Sequence, residues 1–217
     1  MSVPNVTDSG TNPVDVVTTR PFAPVLALKR VYRGTRSLYD RLLHPSRHLA
    51  ACRRLANSRR PRRILVLCHG NICRSPYLEA VLQRGLPDVA VTSAGFVGSC
   101  RAVPPNSIAL SAERGLDLTR YRSRPITQGS AGDADLVIVM DPEQARRVVR
   151  MFGVKRGRII IAGDLEPRFQ GSRDIRDPWN ESIEIFRSSF DRLDRCAATV
   201  ISVLPPSQWH AAESRRL

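Results

Sequence analysis

The chain has 217 residues, 42% of them hydrophobic, with a formal charge of +14 and five cysteines. That length allows one medium domain with an extension or two very small units, and the composition suits a soluble globular chain able to bury a core. The odd, irregularly spaced cysteines (Cys52, Cys68, Cys73, Cys100, Cys196) exclude a small disulfide-stapled scaffold.

The charge is unevenly placed. Residues 1–63 hold 13 basic residues against Asp8, Asp15 and Asp40, a net +10, which leaves +4 for residues 64–217. A basic excess of this kind suggests nucleic acid or an anionic membrane. Because it sits in the extension, nucleic acid is not expected as a partner of the main domain.

Residues 1–24 are rich in Pro, Thr, Asn and Val without periodicity and are expected to be disordered. No secretory signal or membrane-spanning run is visible, so a cytoplasmic location is expected. Over residues 25–61, Leu28, Val31, Tyr32, Leu38, Tyr39, Leu42 and Leu43 recur at roughly helical spacing among Arg and Lys. The pattern predicts one or two basic amphipathic helices, with breaks at Gly34 and Pro45 and a linker at residues 58–63. Such a stripe is suited to contact with an anionic membrane surface.

From Arg63 onward strand and helix signals alternate. Strands are expected at residues 64–67, 89–92, 134–140 and 158–161, and helices at 76–84, 105–115, 142–152 and 181–203. The alternation predicts an α/β fold: three layers, with a four-stranded parallel sheet covered by helices on both faces, plus the basic N-terminal extension. The α/β domain is bounded at residues 62–204, with a tail at 205–217.

The chemistry is concentrated in Cys68-His-Gly-Asn-Ile-Cys-Arg74-Ser75, directly after the first strand. Ligands of such sheets bind beyond the carboxyl ends of the strands. A loop wrapping a helix start, with Ser75 as cap and Pro76 in the first turn, converges backbone N–H groups and the positive end of the helix dipole. Gly70 lets the backbone curl and Asn71 tolerates a left-handed turn. The backbone of His69, Gly70, Asn71, Ile72 and Cys73 would cradle an oxyanion and stabilise a Cys68 thiolate. Arg74 offers a planar fork to two phosphate oxygens, and the Ser75 hydroxyl can assist sulfur as a leaving group. The matching acid is Asp177 in Asp177-Pro-Trp179, with Trp179 as a wall for an aromatic substrate; Asp174 is the rival. A zinc site on Cys68, His69 and Cys73 lacks a fourth ligand, so neither metal nor cofactor is expected.

These segments resemble the low-molecular-weight protein-tyrosine phosphatases. Val66 to Pro76 matches their signature and Asp177-Pro-Trp179 their acid motif. Thr92-Ser-Ala-Gly95, Ala112 to Leu118 and Asp135 to Asp141 fall in the family's order. The resemblance implies a phosphocysteine intermediate, catalytic roles for Cys68, Arg74 and Asp177, and bracing of the loop by Asn71 and Ser93. It also implies a reversible Cys68–Cys73 disulfide and a phosphotyrosine protein, such as a tyrosine kinase, as substrate. Ser99, Tyr121 and Asn180 depart from the family's pattern at positions read as substrate walls, Tyr121 standing where the family has a loop-supporting histidine. An arsenate reductase of the same fold would need a cysteine pair after the third strand, and Met140 to Arg147 has none. A non-enzymatic phosphate-binding module would need a broken catalytic set, and the set is complete.

Overall fold

The computed structural model describes residues 23–205; of the stretch expected to be disordered (1–24) and the tail (205–217), residues 1–22 and 206–217 lie outside the described residues. The chain divides into two units, residues 1–36 and 37–217. In the second, four parallel strands form one sheet in the order β2-β1-β3-β4. They are β1 (Arg63–Cys68), β2 (Ala90–Gly95), β3 (Leu136–Val139) and β4 (Ile159–Ile161).

Alternation along each strand divides the core into two faces, because successive side chains of a strand point oppositely. Ile64, Val66, Cys68, Ile138 and Ile160 pack on one side, with residues of α2 (Arg74–Gly85) and α6 (Ile183–Val203). Leu65, Leu67, Val137, Val139, Ile159 and Ile161 pack on the other. There they meet Ala131 of α4 (Gln128–Asp133) and Val148 of α5 (Pro142–Phe152). Helix α3 (Pro105–Glu113) contributes Leu110 to the first side. Covered on both faces, the strands read as almost continuous apolar runs, as buried parallel strands do.

Register then sets the site. Cys68 pairs with Gly95, while Leu67, Val139 and Ile161 stand side by side. The loops leaving all four strands therefore open at one sheet edge, where the sequence topology expects a ligand.

Three local differences have physical reasons. Helix α1 (Ala23–Asn57) runs unbroken through Gly34 and Pro45 and begins two residues before the expected boundary. Pro45 costs one ladder hydrogen bond, but buried contacts on either side of it, Asp40 and His44 before and Ala51 and Leu55 after, hold the helix. Helix α4 was not foreseen because Gly129 and Gly132 weaken its pattern; a reciprocal cap between Thr127 and Ser130 starts it. Ser75 is not the cap of α2. The helix begins at Arg74 with Cys73 as N-cap, and the Ser75 hydroxyl turns to sulfur instead.

Candidate active site

The loop between β1 and α2 folds back over the Cys68 sulfur. Asn71 adopts φ +52°, the left-handed turn that Asn accepts at small cost. This swings the Asn71 N–H onto Cys68 Sγ at 3.1 Å, and the Ser75 hydroxyl donates to the same sulfur at 3.0 Å. Two hydrogen-bond donors thus converge on one sulfur, from the loop backbone and from the first turn of α2.

The turn is held from behind by a buried polar network. Asn71 Nδ2 donates to Ser75 Oγ (2.9 Å) and Ser93 Oγ (2.8 Å). Asn71 Oδ1 accepts from Tyr121 OH (2.9 Å) and the Arg124 backbone N–H (2.7 Å). Ser93 Oγ donates to Glu79 Oε2 at 2.5 Å and lies 2.7 Å from Tyr121 OH. Burial raises the Tyr121 phenol, so it stays neutral and able to donate. Gly95 completes the support: a Cβ there would stand 2.9 Å from both Cβ and N of Asn71, too close for any side chain.

Arg74 is 3% exposed. Its Nη1 donates to the Ile175 carbonyl at 2.9 Å, and Nη2 pairs with Asp177 Oδ2. Its Nε is buried without a protein partner. Asp177 also accepts the Trp179 N–H at 3.3 Å, so the acid motif closes on itself. Burial pushes the Cys73 thiol up to about 12, with Cys68 and Asp177 adding to the effect. Cys73 is a protonated thiol at neutral pH.

A cleft of about 210 Å³ opens above the loop, lined by Cys68, His69, Gly70, Ile72 and Cys73. Asp177, Trp179, Val97 and Arg101 complete its lining. Of the sequence-derived set, Cys68, His69, Gly70, Ile72, Cys73, Asp177 and Trp179 line this cleft; Asn71, Ser75 and Ser93 lie behind the loop, and Arg74 is buried beside the cleft, reaching it through its pair with Asp177. One correction follows: none of Tyr121, Ser99 and Asn180, read as substrate walls, lines the cleft, whereas Val97 and Arg101 do. Tyr121 stands behind the loop with its phenol on Asn71, in keeping with its place at the family's loop-supporting histidine. Arg101 Nη2 donates to Gly70 O at 2.8 Å and fixes that peptide. Arg101 escaped sequence reading because only the register places its loop beside Cys68; its position just past β2 was the available signal. Asp174, the rival read from sequence, lies outside the cleft lining, with its backbone carbonyl held by Arg192. A separate concavity of about 200 Å³ among α1, α5 and β4 holds no nucleophile.

A parallel sheet whose first strand ends in a cysteine, under a loop that turns its donors inward at a helix start, defines a class: phosphatases that cradle an oxyanion on backbone and guanidinium. The family model described as low molecular weight phosphotyrosine protein phosphatase matches residues 63–205, and the chain belongs to this family. It is an enzyme of that type. A probable low molecular weight protein-tyrosine-phosphatase, EpsP of Ralstonia nicotianae, is 34% identical over 134 residues, covering 61% of this chain and 88% of the relative. Wzb of Vibrio vulnificus, solved in complex with benzylphosphonate, is 30% identical with a TM-score of 0.60, covering 66% of this chain and 99% of that one. The YwlE arginine phosphatase, solved as a cysteine-to-serine mutant with a phosphorylated active-site serine, is 25% identical with a TM-score of 0.58, covering 64% of this chain and 93% of that one.

Proposed function

We propose that the enzyme hydrolyses phosphotyrosine in proteins through a phosphocysteine intermediate. The observation that carries this reading is the pair of donors on Cys68 Sγ, from Asn71 N and Ser75 Oγ. Cys68 attacks phosphorus as the ester P–O bond breaks, and Asp177 supplies the proton to the departing phenol oxygen. Water then attacks phosphorus, its proton passing to the Asp177 carboxylate, as the new P–O bond forms and the S–P bond breaks. The S–P electron pair stays on sulfur, to which the Ser75 hydroxyl donates a hydrogen bond. Arg74 and the loop amides hold the phosphoryl oxygens throughout. Arg74 Nε is a free donor for them, and an incoming dianion competing for the guanidinium would release Asp177 for its role.

An aryl ester is favoured over phosphoarginine. Trp179 offers an aromatic surface, and the Arg101 cation in the cleft lining opposes a substrate guanidinium. The benzyl group of the Wzb ligand and the tyrosine-phosphatase assignment of EpsP point the same way. The phosphorylated serine of the YwlE mutant supports a covalent step at the position of the nucleophile. A tyrosine kinase is the protein partner that this reading implies. Cys73 lines the same cleft as Cys68 and is the partner for a reversible protective disulfide.

Cys68→Ser should abolish p-nitrophenyl phosphate turnover while vanadate still binds; near-normal turnover would overturn the mechanism. A panel of phosphotyrosine, phosphoserine and phosphoarginine peptides, with and without dithiothreitol, separates the substrate classes and reads the disulfide.

The outer face of α1 bears Leu38, Tyr39 and Leu42, the last 70% exposed, among arginines. This supports contact of the extension with anionic lipid. Leu38→Glu with Leu42→Glu should reduce co-sedimentation with phosphatidylserine vesicles, and unchanged binding would remove the idea. Deleting the extension is the wrong test, since Ala51 and Leu55 belong to the core.

A further inference from the structure

Helix α1 lies outside the stretch that matches the family model, yet its residues 37–57 are tied to the segment that carries Asp177. The ties are specific. His44, 6% exposed, directs Nε2 at the Glu166 carbonyl at 3.0 Å. His48 directs Nδ1 at the Asp164 carbonyl at 3.0 Å. A carbonyl can only accept, so each ring nitrogen is the donor. The two rings stack with centroids 6.0 Å apart, and Phe169 leans on His44 at 5.7 Å. Ser37 Oγ donates to Gly171 O at 3.1 Å.

From these anchors a continuous set of contacts leads to the acid. Arg173 grips Asp164 with two hydrogen bonds of 2.7 Å. The Arg173 carbonyl packs so closely on Gly163 that a Cβ there would lie 1.9 Å from it. Glu166, fully buried, is held by Arg192 Nε (2.8 Å) and Nη2 (2.6 Å). The same guanidinium takes the carbonyls of Ser172 (2.7 Å) and Asp174 (2.8 Å). Ile175 then hydrogen-bonds Met140 O through its N–H at 3.0 Å and Arg74 through its carbonyl. Asp177 is two residues on.

We propose that α1 is a clamp on the acid loop, with His44 and His48 as positioning residues that hold Asp177 at the geometry proton donation needs. The proposal rests on Asp177 being the general acid. Proton transfer by a placed group is worth about 10² to 10⁴ in rate, and a loop displaced by a fraction of its reach forfeits part of that. An addition outside the family's common domain thereby becomes part of its chemistry.

The test is the dependence of kcat/KM on leaving-group pKa across phenyl, p-nitrophenyl and dinitrophenyl phosphates, in the full chain. Loss of acid assistance hurts poor leaving groups most. His48→Ala, at a half-buried position, should lower kcat/KM about tenfold for phenyl phosphate and less than about twofold for dinitrophenyl phosphate, a part of the range available to a general acid. His44→Ala should act alike. His44→Gln and His48→Asn keep an N–H near the original nitrogen and should restore the wild-type slope, which a purely structural loss would not do. In an Asp177→Ala background, His48→Ala should add nothing, because coupled residues are not additive. If Asp177→Ala steepens the slope and His48→Ala does not, the clamp is overturned alone. Equal losses on all esters would also overturn it. If Asp177→Ala itself leaves the slope unchanged, the acid assignment falls, and the clamp with it.

Discussion

Ser75 donates its hydroxyl to the Cys68 sulfur across 3.0 Å while accepting from Asn71 Nδ2 at 2.9 Å. One hydroxyl therefore links the buried network to the nucleophile, and its proton has only one direction to point. Ser75→Ala should slow release of sulfur from the phosphoenzyme more than its formation. A hydrogen bond to a charged group is worth about 1.5–3 kcal/mol, so kcat should fall at least about tenfold with kcat/KM less affected. Stopped-flow p-nitrophenyl phosphate turnover should show a burst, and a mutant without one, with both constants equally reduced, would contradict this role.

The Gly70–Asn71 peptide has one end on Arg101 and the other on sulfur: Gly70 O accepts from Arg101 and Asn71 N donates to Cys68. A planar peptide cannot turn one end without the other. Arg101→Ala frees it, and losing about 1 kcal/mol of hydrogen bonding should lower kcat/KM for p-nitrophenyl phosphate about fivefold. Phosphate inhibition should weaken in parallel. Steady-state kinetics at constant ionic strength decides it.

Tyr121→Phe removes the phenol that donates to Asn71 Oδ1 and touches Ser93, leaving the Asn71 amide short of a partner where it is fully buried. The Arg124 N–H still serves that oxygen, so the loss is that of one hydrogen bond, about 0.5–1.5 kcal/mol. Thermal melts should show that loss as a lower Tm, and activity should fall as the +52° turn at Asn71 loosens. Tyr121→His is expected to recover part of both, since an imidazole can donate to the same oxygen.

Alkaline pH should destabilise the fold. Burial raises Cys73 from 9.0 to about 12, and burial likewise raises Cys196 and Tyr77. The folded chain holds these protons more tightly than the unfolded one, so this contribution is complete below about pH 9 and is lost as pH climbs toward 12. Melts between pH 7 and 10.5 should show a Tm that falls only above about 9. Cys73→Ala should flatten the fall.

How much of this was legible in the sequence depends on how local its cause was. The spacing of Cys68, Arg74 and Ser75 is read within one loop, and the strand at Leu136–Val139 within one apolar run. Helix α4 was invisible because its cap, not its composition, makes it. The cap assigned to Ser75 was wrong because local propensity favours Ser at an N-cap, while here the sulfur three dimensions away competes for its hydroxyl and wins.

The sequence by itself determined the alternation of strands and helices, the oxyanion loop and the pairing of that loop with Asp177-Pro-Trp179. These follow from short-range pattern and from residue types that few other chemistries need. Only the tertiary structure decided that Tyr121 braces Asn71 from 50 residues away, that Arg101 lies in the cleft, and that His44 and His48 reach the carbonyls of Glu166 and Asp164 from more than 110 residues upstream. Each of these is a hydrogen bond between positions that meet only after the sheet has set its register. No periodicity along the chain records such a meeting.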